Sequence, residues 1–336
     1  MTTGKDVAQL AGVSVATVSR ALNNLPDVSD DTRAKVLWAA EQLGYRPSRV
    51  ARRLRVQVSQ ILGLIVSDVA NPFFPSVVRG IEDVAHAHGY TLLLCNSDED
   101  PAKESLYADV LLAEKVAGVI TVPTREDSLA YKSLSSHGIP IVVMDRRLRV
   151  LDVDTVLVEN RKGAYAGVQH LIQLGHRRIG LISGPMEITT GRERHEGCAN
   201  ALSDYGIPLD NSLVRIGDFK QQSGYRQAYE LLDVSPAPTA IFVANNLMAL
   251  GALSAIREKG LVIPRDVAFI SFDDMACARV LDPPLTVVAQ PTYELGHSAA
   301  ELLLERIADR TRPTVHLELQ TRLIVRESCG QEKKRS

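Results

Sequence analysis

The chain has 336 residues, 45% of them apolar and 23% charged, with a formal net charge of −2. At about 150 residues per domain this length predicts roughly two domains, and the composition excludes disordered, collagen-like and disulfide-scaffold classes. The near-zero charge announces neither a nucleic-acid nor a membrane-surface partner; no apolar run approaches the roughly 20 residues of a membrane span, and the opening MTTGKDVAQLAGVS lacks an apolar signal core, so a cytoplasmic chain is expected.

Taken by segment, the charge is uneven. Residues 1–60 hold nine basic and five acidic side chains, a local +4 that leaves −6 for the remainder. Five of the nine cations (Arg46, Arg49, Arg52, Arg53 and Arg55) fall in one stretch without a carboxylate, and the first long apolar run begins only at Ile61. A domain boundary near residue 60 follows.

Three short helices are expected ahead of it. Lys5 to Ala11 is stopped by Gly12; Ser14 is a good N-cap for Val15 to Asn23; Ser29 caps Asp30 to Leu43, whose Val36, Leu37, Ala40 and Leu43 recur at helical spacing. Val7, Ala8 and Ala11 of the first helix face inward and Val18 and Leu22 of the second pack back on them. The string DVAQLAGVSVATVSRALNN therefore reads as a helix-turn-helix, with Val15, Ala16, Thr17, Ser19 and Arg20 on or near a free face that can enter a major groove.

From Ile61 apolar runs alternate with helical stretches. ILGLIV precedes a helix from Val77 to Ala87, YTLLLC one through Leu111, AGVITV one from Leu129 to Ser136, and IPIVVM follows. After TVLV come Gly163 to Leu174, RRIGLIS, a helix from Arg194, LVRI, Tyr225 to Leu232, TAIFVA, Met248 to Lys259 and VAFISF. The fold class predicted is an all-α helix-turn-helix headpiece followed by a bilobed α/β core of two doubly wound parallel sheets, with a ligand cleft between the lobes.

The motifs DVAQLAGVSVATVSRALN and GYRPSRVARRL, followed by VSDVANPFF, HLIQLGHRRIGLISGP, RERHEG, TAIFVANNLMALGAL, VAFISFDD and PPLTVVAQP, resemble the lactose-repressor/galactose-repressor (LacI/GalR) family of bacterial transcription regulators, in that family's order along nearly the whole chain. The resemblance implies subdomains of the periplasmic-binding-protein type and a repressor acting as a homodimer on a pseudo-palindromic operator. A small molecule in the cleft would control its operator affinity, with no cofactor. The implied divisions are a headpiece at 1–47, a hinge helix or linker at 48–59, an N-terminal subdomain of 60–161 with 291–320, and a C-terminal subdomain of 162–290 with 321–330.

Each site has a physical rationale. Val15 and Ala16 can touch thymine methyls and Arg20 can pair with a guanine edge, while Ser14, Thr17 and Ser19 suit phosphates, with Asn23 closing the same DNA-facing set. In the hinge, Ala51 and Leu54 form an apolar edge for minor-groove insertion, flanked by Arg49 and Arg52 for phosphate contact, and a segment this short folds only on DNA. In the core, Phe73 and Phe74 offer an apolar wall. The resemblance places Asp68, Asp145, Asn160, Arg194, Phe219, Asn245 and Asp273 around the ligand. Arg194 and Asp273 can grip vicinal hydroxyls and Phe219 can stack on a sugar or base, so a sugar is favoured over a nucleoside or purine. Many relatives have Asn-Asp where this chain has Asn245-Asn246, and Asp-Asn where it has Glu159-Asn160, so the contact made at 246 is open.

Other chemistry finds no support in the sequence. Cys95, Cys198, Cys277 and Cys329 form no C-x-x-C pair, and His86 and His88 point apart on a helix, so no metal site is expected. No nucleophile elbow, P-loop or dinucleotide fingerprint follows a strand, which argues against an enzyme. A periplasmic-type binding protein would share the cleft but not the helix-turn-helix. The RESCGQEKKRS tail has no leucine heptads, and a tetramer through a coiled coil is not expected.

Overall fold

The computed structural model describes residues 2–22, 27–45 and 59–330, and the chain divides into one unit ending at Ser59 and another beginning at Gln60. In the first unit, α1 (Gly4–Ala11) opens with a reciprocal cap between Thr3 and Asp6 and closes at Gly12, whose φ of 66° is left-handed. Ser14 Oγ then accepts the Thr17 amide at 3.1 Å and starts α2 (Val15–Leu22); Ser29 does the same for α3 (Asp30–Gln42) through Thr32.

Val7, Ala8, Val18, Ala21, Val28, Val36, Ala39 and Ala40 form this unit's core. Leu37, expected inward, is 50% exposed. Positions 36, 39 and 40 share one stripe of the helix, and residue 37 lies about 100° away from 36.

The second unit holds two six-stranded sheets. The first contains β1 (Ile61–Val66), β2 (Thr91–Asn96), β3 (Gly118–Thr121), β4 (Ile141–Met144), β5 (Asp154–Val158) and β11 (His316–Leu319), in the order β11-β5-β4-β3-β1-β2 and wholly parallel. The second contains β6 (Ile179–Ser183), β7 (Val214–Ile216), β8 (Ala240–Val243), β9 (Ala268–Phe272), β10 (Thr286–Ala289) and β12 (Arg322–Ile324), in the order β12-β10-β9-β8-β6-β7. Only β12, against β10, runs antiparallel. Central strands such as β3, β4, β8 and β9 are buried at every residue because helices cover both sheet faces, which is why they read as unbroken apolar runs.

In the first lobe α4 (Phe74–Ala87), α5 (Pro101–Ala113), α6 (Lys132–Ser136) and α11 (Thr292–Ala308) flank the sheet. In the second lobe α7 (Asn160–Gln173), α8 (Thr189–Asp204), α9 (Gln221–Leu232) and α10 (Asn246–Glu258) do so. α4 and α11 touch backbone to backbone: a Cβ on Gly80 would lie 2.2 Å from the Tyr293 carbonyl oxygen, and one on Gly296 2.0 Å from that of Val77. The chain passes between the lobes three times, after β5, β10 and β11.

Helices expected from Val77, Gly163, Arg194, Tyr225 and Met248 begin earlier, at Phe74, Asn160, Thr189, Gln221 and Asn246. Their first turns lie at the strand-to-helix junctions by the cleft and carry polar residues or Pro, so the apolar period starts only later. The helix expected from Leu129 begins instead at Lys132, and Leu129 is 60% exposed.

Candidate functional site

The carboxyl ends of both sheets meet at a cavity of about 440 Å³ between protein atoms, part of it open to solvent. Of the residues expected there, Asp68, Phe73, Phe74, Asp145, Arg194, Phe219, Asn245 and Asp273 line it. The VSDVANPFF turn is built by its own side chains. Asp68 Oδ1 accepts the Ala70 amide at 3.0 Å and Asn71 Oδ1 the Phe73 amide at 2.9 Å, which presents Phe73 and Phe74 edge to face with centroids 5.0 Å apart.

Each lobe delivers one Asp–Arg pair. In the first, Arg146 Nε lies 3.8 Å from Asp145 Oδ2; in the second, Arg194 Nη1 lies 3.8 Å from Asp273 Oδ2. All four side chains are buried. Glu99 takes both Arg146 Nη atoms, at 2.7 and 2.6 Å. Burial works against the Arg146 cation, but the paired Glu99 carboxylate outweighs it and holds the pKa above the ordinary arginine value. Arg194 spends Nε on Asn160 Oδ1 and Nη1 on the Ala244 carbonyl, both at 2.8 Å, and stacks 3.8 Å from the Phe272 ring centroid. Its Nη2 is the edge left for the cavity. Burial lowers its pKa, against the pull of Asp273 and Asp145.

Asp145 is raised by burial, with Arg146 and Arg194 opposing the rise. Arg146 Nε and Gln290 Oε1, one donor and one acceptor, are buried on the cavity with no hydrogen-bond partner among the described residues. Buried polar atoms are rarely left so.

Three lining residues, Asp145, Phe219 and Asp273, hold left-handed φ angles of 64°, 66° and 70°. Such backbone costs of order 1–3 kcal/mol and tends to mark functional sites. Phe219 is anchored by Asn245 Nδ2 on its carbonyl at 3.0 Å, and its ring lies over Gly184, where a Cβ would approach to 2.1 Å.

Two expectations change. Asn160 does not line the cavity; fully buried, it sits behind Arg194 and fixes the guanidinium. Asn245 lines it with an amide already engaged on Phe219 and, through Oδ1, on the Met248 amide that caps α10. Ser67, Asn71, Glu99, Arg146, Thr190, Lys220 and Gln290 were not anticipated. Arg146 alone carried a weak signal, adjoining the expected Asp145 at the end of the buried strand β4.

The lobes are also tied together directly. Lys220 reaches Asp68 at 2.7 Å and Asp98 at 3.2 Å, Asn246 Nδ2 donates to Asn71 Oδ1 at 2.9 Å, and Glu126 accepts from Thr189 Oγ1 and Arg192 Nη2 at 2.5 Å each. Among the described residues no group of three or more His, Cys, Asp or Glu side chains converges as metal ligands, and no helix is long and apolar enough to cross a membrane.

In the first unit, Val15, Ala16 and Arg20 are exposed along α2 and Ser14 is exposed at its cap, while Thr17 and Ser19 are half-buried. Arg20 pairs with Asp27 at 3.5 Å, both side chains being 55% exposed, a pair worth little in water and open to exchange for another acceptor. Asn23, Arg49, Ala51, Arg52 and Leu54 lie outside the described residues.

Residues 3–48 match the model for bacterial regulatory proteins of the lacI family, and residues 168–329 that for a periplasmic binding protein-like domain. The HTH-type transcriptional repressor PurR of Actinobacillus pleuropneumoniae serotype 3 (strain JL03) is 37% identical over 330 residues, 98% of each chain. The chain belongs to the LacI family. It is similar to the crystal structure of the Lac repressor dimer bound to operator and the anti-inducer ONPF, with 30% identity, a TM-score of 0.86 and 98% of this chain and 99% of that one covered. It is also similar to a LacI family transcriptional regulator from Enterococcus faecium with bound ribose, at 32% identity, TM-score 0.73, and 80% and 98% coverage. As a LacI-family member the protein is a DNA-binding transcriptional repressor regulated by a small-molecule effector, in a family of regulators rather than enzymes.

Proposed function

We propose that the effector is a monosaccharide, with the pentose ribose the first candidate, and that it sets the operator affinity of a homodimer. The observation that carries this reading is the pair of Asp–Arg couples, one per lobe, converging on a cavity walled by Phe73, Phe74 and Phe219. A sugar hydroxyl both donates and accepts, so a ring of vicinal hydroxyls satisfies carboxylates and guanidinium edges together, while its C–H faces lie on the aromatic rings. A planar purine presents hydrogen-bonding groups along its edges alone and would leave some of these buried groups unpaired, at about 1–3 kcal/mol each. The ribose bound to the Enterococcus faecium relative supports the same class, and the PurR relatives favour a purine as the competing one.

Because the cleft lies between lobes that contact each other directly, a ligand that binds one lobe arrangement better shifts the population toward it and changes the operator affinity of the paired headpieces. Val15, Ala16 and Arg20 would read base edges. Ser14, Thr17, Ser19 and Asn23 would hold the backbone, and Arg49, Ala51, Arg52 and Leu54 would engage the minor groove as a hinge. Titration calorimetry with D-ribose, D-glucose, cellobiose and hypoxanthine, paired with operator gel shifts at each ligand, tests this. Ribose binding that moves the operator affinity is the expected result; binding of hypoxanthine alone would overturn the sugar reading.

A further inference from the structure

We propose that Asn246 is a positioning residue that fixes Asn71 as a hydrogen-bond donor to the cleft ligand, an inference that rests on the effector reading above. Side-chain amides are ambiguous by themselves, but here two backbone N–H groups remove the ambiguity. Leu247 N donates to one end of the Asn246 amide at 2.7 Å, so that end is oxygen and the other, Nδ2, faces Asn71 at 2.9 Å. Phe73 N donates to the same Asn71 atom at 2.9 Å, so that atom is Oδ1. With Oδ1 accepting twice, Nδ2 is the end of Asn71 left for the cavity it lines.

Asn246 is fully buried, and its backbone N–H lies 3.4 Å from Asp273 Oδ2. An aspartate at 246 has no donor to offer. Its carboxylate would meet Asn71 Oδ1 as a second acceptor, beside the Asp273 carboxylate. Relief comes when the Asn71 amide turns over, which gives up the Phe73 bond and shows the cavity an acceptor instead of a donor. A ligand hydroxyl whose single proton is committed to Asp145 can then no longer pair with residue 71. The chain's departure from the Asn-Asp pair of many relatives is thus a choice of hydrogen-bond polarity on the opposite lobe.

The test is a double-mutant cycle on the full-length protein with D-ribose as probe and hypoxanthine as the parallel arm, read by calorimetry. Asn246→Asp is expected to weaken ribose binding about tenfold, Asn71→Ala at least as much, and the double variant no more than Asn71→Ala. Additive losses, or an Asn246→Asp protein that binds as tightly as wild type, overturn the proposal and leave the effector reading intact. Wild-type protein that binds neither probe removes both. If Asn246→Asp fails to fold, Asn71→Asp serves: it keeps both bonds to Phe73 and Asn246 but offers the cavity only an acceptor, and undiminished ribose affinity in that variant overturns the proposal.

Discussion

Arg192 in α8 and Glu126 in the loop after β3 meet across the two lobes, Nη2 to Oε1 at 2.5 Å. The loop that carries Glu126 is itself fastened by buried Glu104 of α5, which accepts from the Thr124 amide and from the hydroxyls of Thr124, Ser128 and Tyr131. Burial opposes the Glu126 charge, yet the Thr189 and Arg192 hydrogen bonds and the Arg149 charge hold its pKa below the usual range. Glu126→Gln should therefore loosen the lobe contact and cost about 1–3 kcal/mol in chemical denaturation. It should also weaken effector affinity, although residue 126 does not line the cavity; an unchanged unfolding midpoint would dismiss the latch.

Acid should weaken the fold through Asp154. Burial raises this carboxyl, but hydrogen bonds from Arg306 and the Val315 amide and the charges of Arg306 and Arg312 bring it below the ordinary value. A depressed carboxylate adds stability above its unfolded pKa that disappears as pH falls through the folded one. Melting curves from pH 6 down to 3 should show a loss that Asp154→Asn lacks, the variant being already less stable at pH 6.

Asp145 has the opposite sign. Its pKa is raised, chiefly by burial, so its ionisation costs stability as pH rises through the window above the ordinary carboxylate value. The stability of Asp145→Asn relative to wild type should grow as pH rises through that window, while effector binding weakens at least tenfold. A relative stability that does not change with pH, with binding retained, would contradict both halves.

Phe219 cannot keep its ring position if Gly184 gains a Cβ, since the two would overlap at 2.1 Å. Gly184→Ala should fold with a cost of about 1–3 kcal/mol and lose most of its effector affinity. Crystallography or aromatic NMR shifts would locate the displaced ring, and full affinity would show that the ring is not part of the ligand wall.

Arg20→Ala should cost about 1–3 kcal/mol on the operator and much less on nonspecific DNA, as expected for a base-edge contact. Equal losses on both, measured by fluorescence anisotropy at fixed salt, would reduce Arg20 to a phosphate contact.

The alternation of apolar runs from Ile61 onward makes the α/β class legible, because strands covered on both faces have no polar side to break the run. The cavity was legible wherever a family motif carries it, as at Asp68, Phe73 and Asp273. Lys220 was not, for its partners Asp68 and Asp98 stand 152 and 122 residues away in sequence and no local pattern records them. Asn160 shows the converse limit. Its position near the cleft could be inferred, but whether its amide meets the ligand or Arg194 depends on side-chain direction at a lobe boundary.

The three passages between the lobes bear on how the protein is made. α4 is synthesised well before the helix that covers it, α11, and before the edge strand β11. Until residues 292–319 leave the ribosome, the first lobe presents the Gly80 face of α4 uncovered, with Val77 and Ile81 still in need of α11. β12 completes the second lobe only a few residues later. Neither sensor lobe can finish ahead of the other, so a nascent repressor acquires its DNA-binding helices long before it can respond to a ligand.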